Sequence, residues 1–278
     1  MNNIALDKIT NKIITSLEAG SIPWDKPFAS GMPKNYISNK PYNGINTIIL
    51  GMADFSSSYW LTFNQARSLK ATIKKGSKGM PIIFFKINEY AKENDKGEIE
   101  TKQIPLMRYS TVFNFDQVEN LKPKEDEKPR TNTPIEEAQR IADNMPNKPT
   151  IETGSSPCYI PSMDIVKISD INKFKSAELY YSVLFHELAH STGHESRLNR
   201  QDSDKSRTFA SEDYSKEELI AEFTSAFLCS TSGILKATER NNTAYIQSWI
   251  KALKNDKTQL IKAGSQAQKA HNYILNIN

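Results

Sequence analysis

Residues Tyr180 to Arg200 read YYSVLFHELAHSTGHESRLNR, and within them His186, Glu187 and His190 form H-E-x-x-H. Side chains four apart on a helix lie on one face, so both imidazoles can address a single point. Tyr180, Tyr181, Val183, Leu184, Leu188 and Ala189 make the segment apolar on most sides, which predicts a buried helix, and Gly193 reads as its stop. Burying two imidazoles and a carboxylate is costly unless each has a partner. The bland alternative is a surface helix with two chance histidines. Against it, three of the chain's four histidines fall within nine residues. The pattern points to one divalent metal ion, zinc by preference, since zinc takes neutral imidazole nitrogen at roughly 2.0–2.1 Å. Glu187, one step round the helix, is placed to take a proton from an attacking water.

A catalytic zinc keeps an open position beside three protein ligands. His194 is the nearest further donor, but it directly follows Gly193. The longer metzincin pattern places its third His three residues after that Gly, where this chain has Ser196. A better source is Lys216 to Ser230, KEELIAEFTSAFLCS, whose Leu219, Phe223, Ala226 and Phe227 give a helical apolar face. Glu218 and Glu222 stand four apart on an adjoining stripe. Glu218 is the expected third ligand, with Glu222 accepting the other ring N–H of a ligand histidine. The reverse assignment, His194 as ligand, and a solvated acidic stripe stay open. Tyr214, four residues before Glu218, is either an oxyanion donor or an ordinary packing tyrosine. Arg197 and Arg200 read as pins for the loop after the metal helix rather than as substrate contacts.

With 278 residues, 38% of them hydrophobic and 24% charged, the chain suits two globular domains, each with a sizeable core. No apolar run approaches the length needed to cross a bilayer, so no membrane association is expected. The first twenty residues lack the apolar core of a secretory signal and read as an amphipathic helix through Ile4, Ile9, Ile13 and Leu17, stopped by Gly20. The two cysteines, Cys158 and Cys229, belong to no motif, which suggests a reducing compartment, the cytoplasm. The net charge of +4 is uneven: residues 1–128 hold 18 Lys and Arg against 14 Asp and Glu, and the remainder is balanced. Residues 21–86 alone hold nine basic and two acidic side chains, an electrostatic footprint suited to a polyanion or merely to a solvated face.

Taken in order, Ile22 to Pro41 reads as loop with Trp24, Phe28 and Tyr36, which either fill the core or stand out as stacking platforms. Short helices are expected over Thr47 to Asp54 and Asn64 to Lys70. Ala71 to Lys86, ATIKKGSKGMPIIFFK, reads as a hairpin about the Lys74–Gly79 turn. Lys74, Lys75 and Lys78 on that turn are placed to meet phosphates, and Trp60 or Phe63 to stack on bases, although both aromatics also suit a core. Glu89 to Thr101 reads as a charged connection, followed by a strand over Met107 to Phe115. Residues 121–133, LKPKEDEKPRTNT, read as a linker between residues 1–120 and 134–278. Pro134 opens a helix to about Asp143, capped by Thr133. Ile151 to Ile168 holds short strand-like pieces, including Cys158–Ile160 and Asp164–Ile168, ahead of the metal helix, where a sheet edge can hold an extended peptide by strand addition. Two further helices follow, over Thr243 to Leu253 and Thr258 to Tyr273, with Tyr245, Trp249 and Leu253 as packing residues. The fold class is α+β.

These residues resemble the ArdC-type antirestriction proteins of conjugative elements. The resemblance rests on Tyr42-Asn-Gly-Ile-Asn46, Trp60-Leu-Thr-Phe-Asn-Gln-Ala66, Lys75-Gly-Ser-Lys-Gly79 and Val112-Phe-Asn-Phe-Asp-Gln117. It continues through Tyr180-Tyr181, His186-Glu-Leu-Ala-His190, Thr192 to Arg200, Glu217-Glu-Leu-Ile-Ala-Glu222, Tyr245-Ile-Gln-Ser-Trp249 and Ala267-Gln-Lys-Ala270. One position departs: Ser191 stands where an aromatic follows the second His. The resemblance implies an N-terminal domain that binds single-stranded DNA and a C-terminal zincin-like metallopeptidase domain, protecting incoming plasmid DNA from restriction. Proteolysis of a particular peptide or protein is not implied. Two rivals remain: a DNA-shielding module with a structural or vestigial metal site, which His194 joining the ligands would mark, and a plain cytosolic zinc peptidase.

Overall fold

A computed structural model describes residues 4–25, 31–53, 55–93, 99–124, 133–200, 212–234 and 243–277. The expected linker falls mostly outside these residues, as do Phe28 and the side chain of Tyr245. The fold is α+β. Its first part runs α1 (Ile4–Glu18), β1 (Lys34–Asn35), α2 (Ile45–Gly51), β2 (Tyr59–Thr62), α3 (Phe63–Ser68), β3 (Thr72–Ile73), β4 (Met80–Glu93), β5 (Ile99–Asn114) and β6 (Val118–Glu119). The second runs α4 (Pro134–Asp143), β7 (Thr150–Thr153), β8 (Cys158–Ile160), β9 (Ile165–Ile168), α5 (Ala177–Ser191), α6 (Glu212–Ser232), α7 (Thr243–Asn255) and α8 (Gln259–Ile274).

Local signals explain several boundaries. Gly20, at φ 74°, ends the turn after α1 in a conformation that only glycine adopts freely. Thr62 and Gln65 form a capping box at α3, and Thr133 and Glu136 form another at α4, where Pro134 takes the first helical position. Ser176 caps α5 by accepting from the Leu179 amide at 3.2 Å.

The hairpin expected over Ala71 to Lys86 does not form. β3 pairs with β6 in a two-stranded sheet of its own, while β4 pairs antiparallel with β5 from Met80↔Val112 to Glu93↔Ile99. A long partner satisfies far more main-chain donors and acceptors than the two residues of β3 can. The stretch read as a charged connection is therefore largely strand. Paired backbone holds such a ribbon whatever the charge of its side chains. β2 joins the other edge of β5, and β1 pairs parallel to β2. The second part carries a separate sheet in the order β7-β9-β8.

The core crosses the expected domain division. Leu6, Ile9, Ile13 and Leu17 of α1, Trp24, and Ile45, Ile48 and Ile49 of α2 pack in one cluster with Phe223 and Phe227 of α6, Trp249 and Leu253 of α7, and Leu260 of α8. Trp24 lies edge-on to Phe223 with ring centroids 4.9 Å apart and to Trp249 at 5.4 Å. A second cluster joins α4, α5 and the sheet through Ile141, Val166, Leu184, Phe185 and Leu188. Tyr36, Leu61, Ala66 and Val118 form a smaller one in the first part. No helix among the described residues is long and apolar enough to cross a membrane.

Because Trp24 belongs by sequence to the first part and by packing to the helices of the second, Trp24→Ala is expected to destabilise the helical layer by about 3–5 kcal/mol. Urea unfolding followed by circular dichroism measures it. A midpoint equal to wild type would show that the cluster does not depend on the first part.

Candidate metal centre

α5 and α6 build the site. Every residue of α6 from Glu217 to Ser230 is buried, because both sides of the helix are covered. Leu219, Phe223 and Phe227 enter the cluster shared with α1 and α2, while Leu228 and Cys229 enter the one shared with α5. Ser225 Oγ donates to Ser182 O at 2.9 Å and ties the two helices together.

The i, i+4 stagger on α5 brings His186 Nε2 and His190 Nε2 to 3.1 Å. Glu218 on α6 meets both: Oε2 stands 3.4 Å from His186 Nε2, and Oε1 stands 3.4 Å from His190 Nε2. Donor atoms of these three residues all lie within 4.8 Å of one another. Donors placed tetrahedrally at about 2.0–2.1 Å from an ion stand about 3.3 Å apart. The spacing and the two-imidazole, one-carboxylate chemistry thus fit one divalent cation.

The far side of each ring is also held. His186 Nδ1 lies 3.3 Å from Glu222 Oε1, the position expected for that carboxylate. His190 Nδ1 lies 3.5 Å from Glu217 Oε1. With a carboxylate at each Nδ1, both Nε2 atoms face Glu218. Glu217 was missed in the sequence because it sits about 100° round the helix from Glu218. Two ligand rings a turn apart present a front wide enough to engage both carboxylates. The signal it left was a second acidic residue directly beside Glu218 in the sequence.

The electrostatics follow from burial. Burial alone lowers the pKa of His190, but Glu218 and Glu217 outweigh it and carry it up to about 10. For His186, burial works in the same direction and is again outweighed by Glu218 and Glu222, leaving it raised. Burial pushes Glu218 up, yet the two imidazoles hold it well below the usual carboxylate range. Glu217 is likewise pushed up by burial and brought down to about 2 by Arg200 and His190. Glu187, Glu217, Glu218 and Glu222 are all buried, with Arg200 beside them, a balance that invites further positive charge.

Glu187 follows His186 on α5, and Tyr214 is half-buried on α6 one turn before Glu218. His194 turns into its own loop, with Nδ1 2.8 Å from Ser196 Oγ and 3.2 Å from the Ser196 amide. It takes no part in the donor cluster. Arg197 pins that loop to the turn before β9: it makes a bidentate pair with Asp164 at 2.7 and 2.8 Å and donates to Asn147 O and Ser191 O. Ser191 is fully buried and returns its hydroxyl to Leu188 O at 2.7 Å, so the departing residue packs against Arg197.

In the first part the expected contacts divide. Trp60 is 2% exposed, packed edge-on against Phe55 at 5.5 Å, which corrects its reading as a base-stacking residue. Strand alternation turned it inward onto Leu50 and Val112. Phe63 is 56% exposed at the start of α3. Lys74, Lys75 and Lys78 are exposed, and Lys74 Nζ donates to Asp116 O at 2.7 Å. Phe84, also exposed, stands directly across from Arg108 in the β4–β5 register, an aromatic the sequence reading did not single out.

Comparison with known proteins agrees with this layout. Residues 4–113 match the family described as the N-terminal domain of anti-restriction factor ArdC, and residues 136–266 match the zincin-like metallopeptidase family. The metal-free crystal structure of antirestriction ArdC protein from R388 plasmid is 33% identical, with a TM-score of 0.77 and 98% of each chain covered. Its Mn(II)-bound structure is 31% identical, with a TM-score of 0.76 over 98% of this chain and 97% of that one. Uncharacterized protein y4eC of Sinorhizobium fredii (strain NBRC 101917 / NGR234) is 31% identical over 96% of this chain and 90% of its own length. A DNA primase TraC of Escherichia coli is 34% identical over 96% of this chain, which spans only 19% of that protein.

Replacing the carboxylate that meets both rings tests the centre. Glu218→Ala is expected to abolish stoichiometric zinc or manganese binding, and Glu222→Gln to weaken it about 10–100-fold. Plasma mass spectrometry after dialysis, with calorimetric titration, reads both; full retention in Glu218→Ala removes Glu218 from the site.

Proposed function

The chain belongs to the ArdC family of antirestriction proteins, and on that footing we propose that it binds single-stranded DNA through its first part and hydrolyses a peptide bond at a zinc centre in its second. The observation that carries the hydrolytic half is the convergence of His186, His190 and Glu218 at spacings of 3.1–3.4 Å. Two imidazoles and one carboxylate are a catalytic rather than a closed structural donor set, and they favour zinc. A Mn(II)-bound structure of the R388 protein makes manganese the alternative ion. A bound ion here would act as a Lewis acid toward a carbonyl and ease ionisation of water at neutral pH.

The chain's own residues supply the rest. Glu187, buried and adjacent in sequence to a ligand, accepts the proton of the attacking water and returns it to the leaving amine. Tyr214 donates a hydrogen bond to the developing oxyanion. Glu222 and Glu217 keep the two rings oriented. An extended peptide segment is the expected substrate. Against the shielding reading with a structural ion stands His194, which turns away from the donors.

Support for DNA binding comes from charge and exposure. Residues 55–86 hold Arg67, Lys70, Lys74, Lys75, Lys78 and Lys86 and no acidic residue. Lys75 and Lys78, with the remaining donors of Lys74, meet phosphates, and Phe63 offers a ring to a base. One stacked base is worth about 1–3 kcal/mol whatever its identity. A protein acting on entering plasmid DNA works in the cytoplasm.

Two measurements separate the halves. Glu187→Ala is expected to retain metal and DNA binding while losing peptide hydrolysis and, if hydrolysis serves protection, antirestriction in a conjugation assay; unaltered protection supports shielding alone. DNA affinity should fall with salt at a slope of about −0.7 per phosphate contact for single strands. Fluorescence anisotropy with an oligonucleotide that detects no binding at low salt sinks the DNA half.

A further inference from the structure

Arg200 lies just after the metal helix, and its side chain is 9% exposed. Nη2 donates to Glu217 Oε1 at 2.8 Å, and Nε donates to Glu217 Oε2 at 3.1 Å. Nη1 donates to Thr192 Oγ1 at 2.7 Å, and Nη2 also donates to Ala189 O at 2.8 Å. The fork is therefore anchored at the C-terminal end of α5 on one side and grips both oxygens of an α6 carboxylate on the other. Glu217 Oε1, the oxygen that Nη2 holds, is also the one 3.5 Å from His190 Nδ1.

We propose that Arg200 is a positioning residue for the metal centre, acting through Glu217 to set the orientation of the His190 ring. The inference rests on the metal-site reading above and extends it to a residue that touches no ligand atom.

The physical argument is one of freedom. A Glu side chain has three rotatable torsions, and a single contact at 3.5 Å leaves the plane of its carboxylate undefined. Bidentate pairing with a guanidinium fixes that plane. Oε1 is then aimed at Nδ1, Nδ1 keeps its hydrogen, and the Nε2 lone pair stays directed at the point shared with His186 and Glu218. Without Arg200, Glu217 is free to turn, and the carboxylate at His190 Nδ1 is no longer held in one plane. His186 does not share this dependence, because Glu222 takes its Nδ1 from a different turn of α6. A lysine at 200 would keep the charge but lack the planar fork, so the role requires arginine.

Outer partners of ligand histidines change metal affinity by about 10–100-fold. Calorimetric zinc titration of the full chain is the test, on wild type, Arg200→Met, Arg200→Lys, Glu217→Gln and the Arg200→Met/Glu217→Gln double variant, with Thr192→Val as control. Both Arg200 variants and Glu217→Gln are expected to bind zinc about 10–100-fold more weakly. The double variant should be no weaker than the worse single one, because both changes break the same connection. Thr192→Val removes an anchor of the guanidinium but not its grip on Glu217 and should stay within about threefold of wild type. Wild-type affinity in Arg200→Lys or Glu217→Gln, or losses that multiply in the double variant, overturns the proposal. Should Arg200→Met not fold, Arg200→Lys and Glu217→Gln decide it alone. A wild-type protein that takes up neither zinc nor manganese would instead overturn the metal-site reading itself.

Discussion

The structure depends on placing negative charge where water cannot reach it. Glu217, Glu218 and Glu222 sit on a helix buried on nearly every side, with Glu187 buried on the helix beside it. An ionised carboxylate in such surroundings persists only with opposite charge and hydrogen bonds close by. Two imidazoles of α5 and the guanidinium of Arg200 just after it face Glu217, Glu218 and Glu222. This requirement fixes how α5 faces α6 and which turn of each helix is opposed. A divalent cation held by the two Nε2 atoms and Glu218 would take the place of the imidazole protons and supply the same compensating charge.

Such a centre needs helices that do not shift, and the first part of the chain helps to hold them. α6 presents its carboxylates on one side and Leu219, Phe223 and Phe227 on another, and the second set packs with α1, Trp24 and α2. Gly264 of α8 lies so close to the start of α2 that an added Cβ would stand 2.5 Å from the Ile45 nitrogen. Facing it, Gly44 adopts φ 58° and donates its amide to Gln268 Oε1 at 3.0 Å. Asn46 then reaches the main chain of β4, accepting from the Ile83 amide and donating to the Ile83 carbonyl, each at 2.7 Å. The long ribbon is thereby tied at Ile83 to the helical layer that carries the metal centre.

Much of this was legible in residue order, and the exceptions share a cause. The bounds of α4 follow from Thr133, Pro134 and Glu136, which act within one turn. The orientation of His186 and His190 toward one point follows from helix geometry alone. The sequence left Trp60 between base stacking and core because a strand residue faces either core or solvent depending on what covers it, and α2 supplies the cover at Leu50. The pairing of β4 with β5 instead of β3 was invisible for a similar reason. Partner choice is a competition among strands far apart in sequence, whereas a glycine turn speaks only for its neighbours.

By itself the sequence determined the elements and the chemistry they carry: a buried helix with two imidazoles on one face, a second helix rich in carboxylates, and an early segment with excess positive charge. Periodicity, caps and spacing act over a few residues, so they survive in the order of the letters. Tertiary structure alone decided that Glu217 joins His190, that Arg200 grips Glu217, that His194 turns away, and that α1 and α2 share a core with α6, α7 and α8. Each of these is a contact between separate elements, set by which surfaces exclude water together, and no local pattern encodes it.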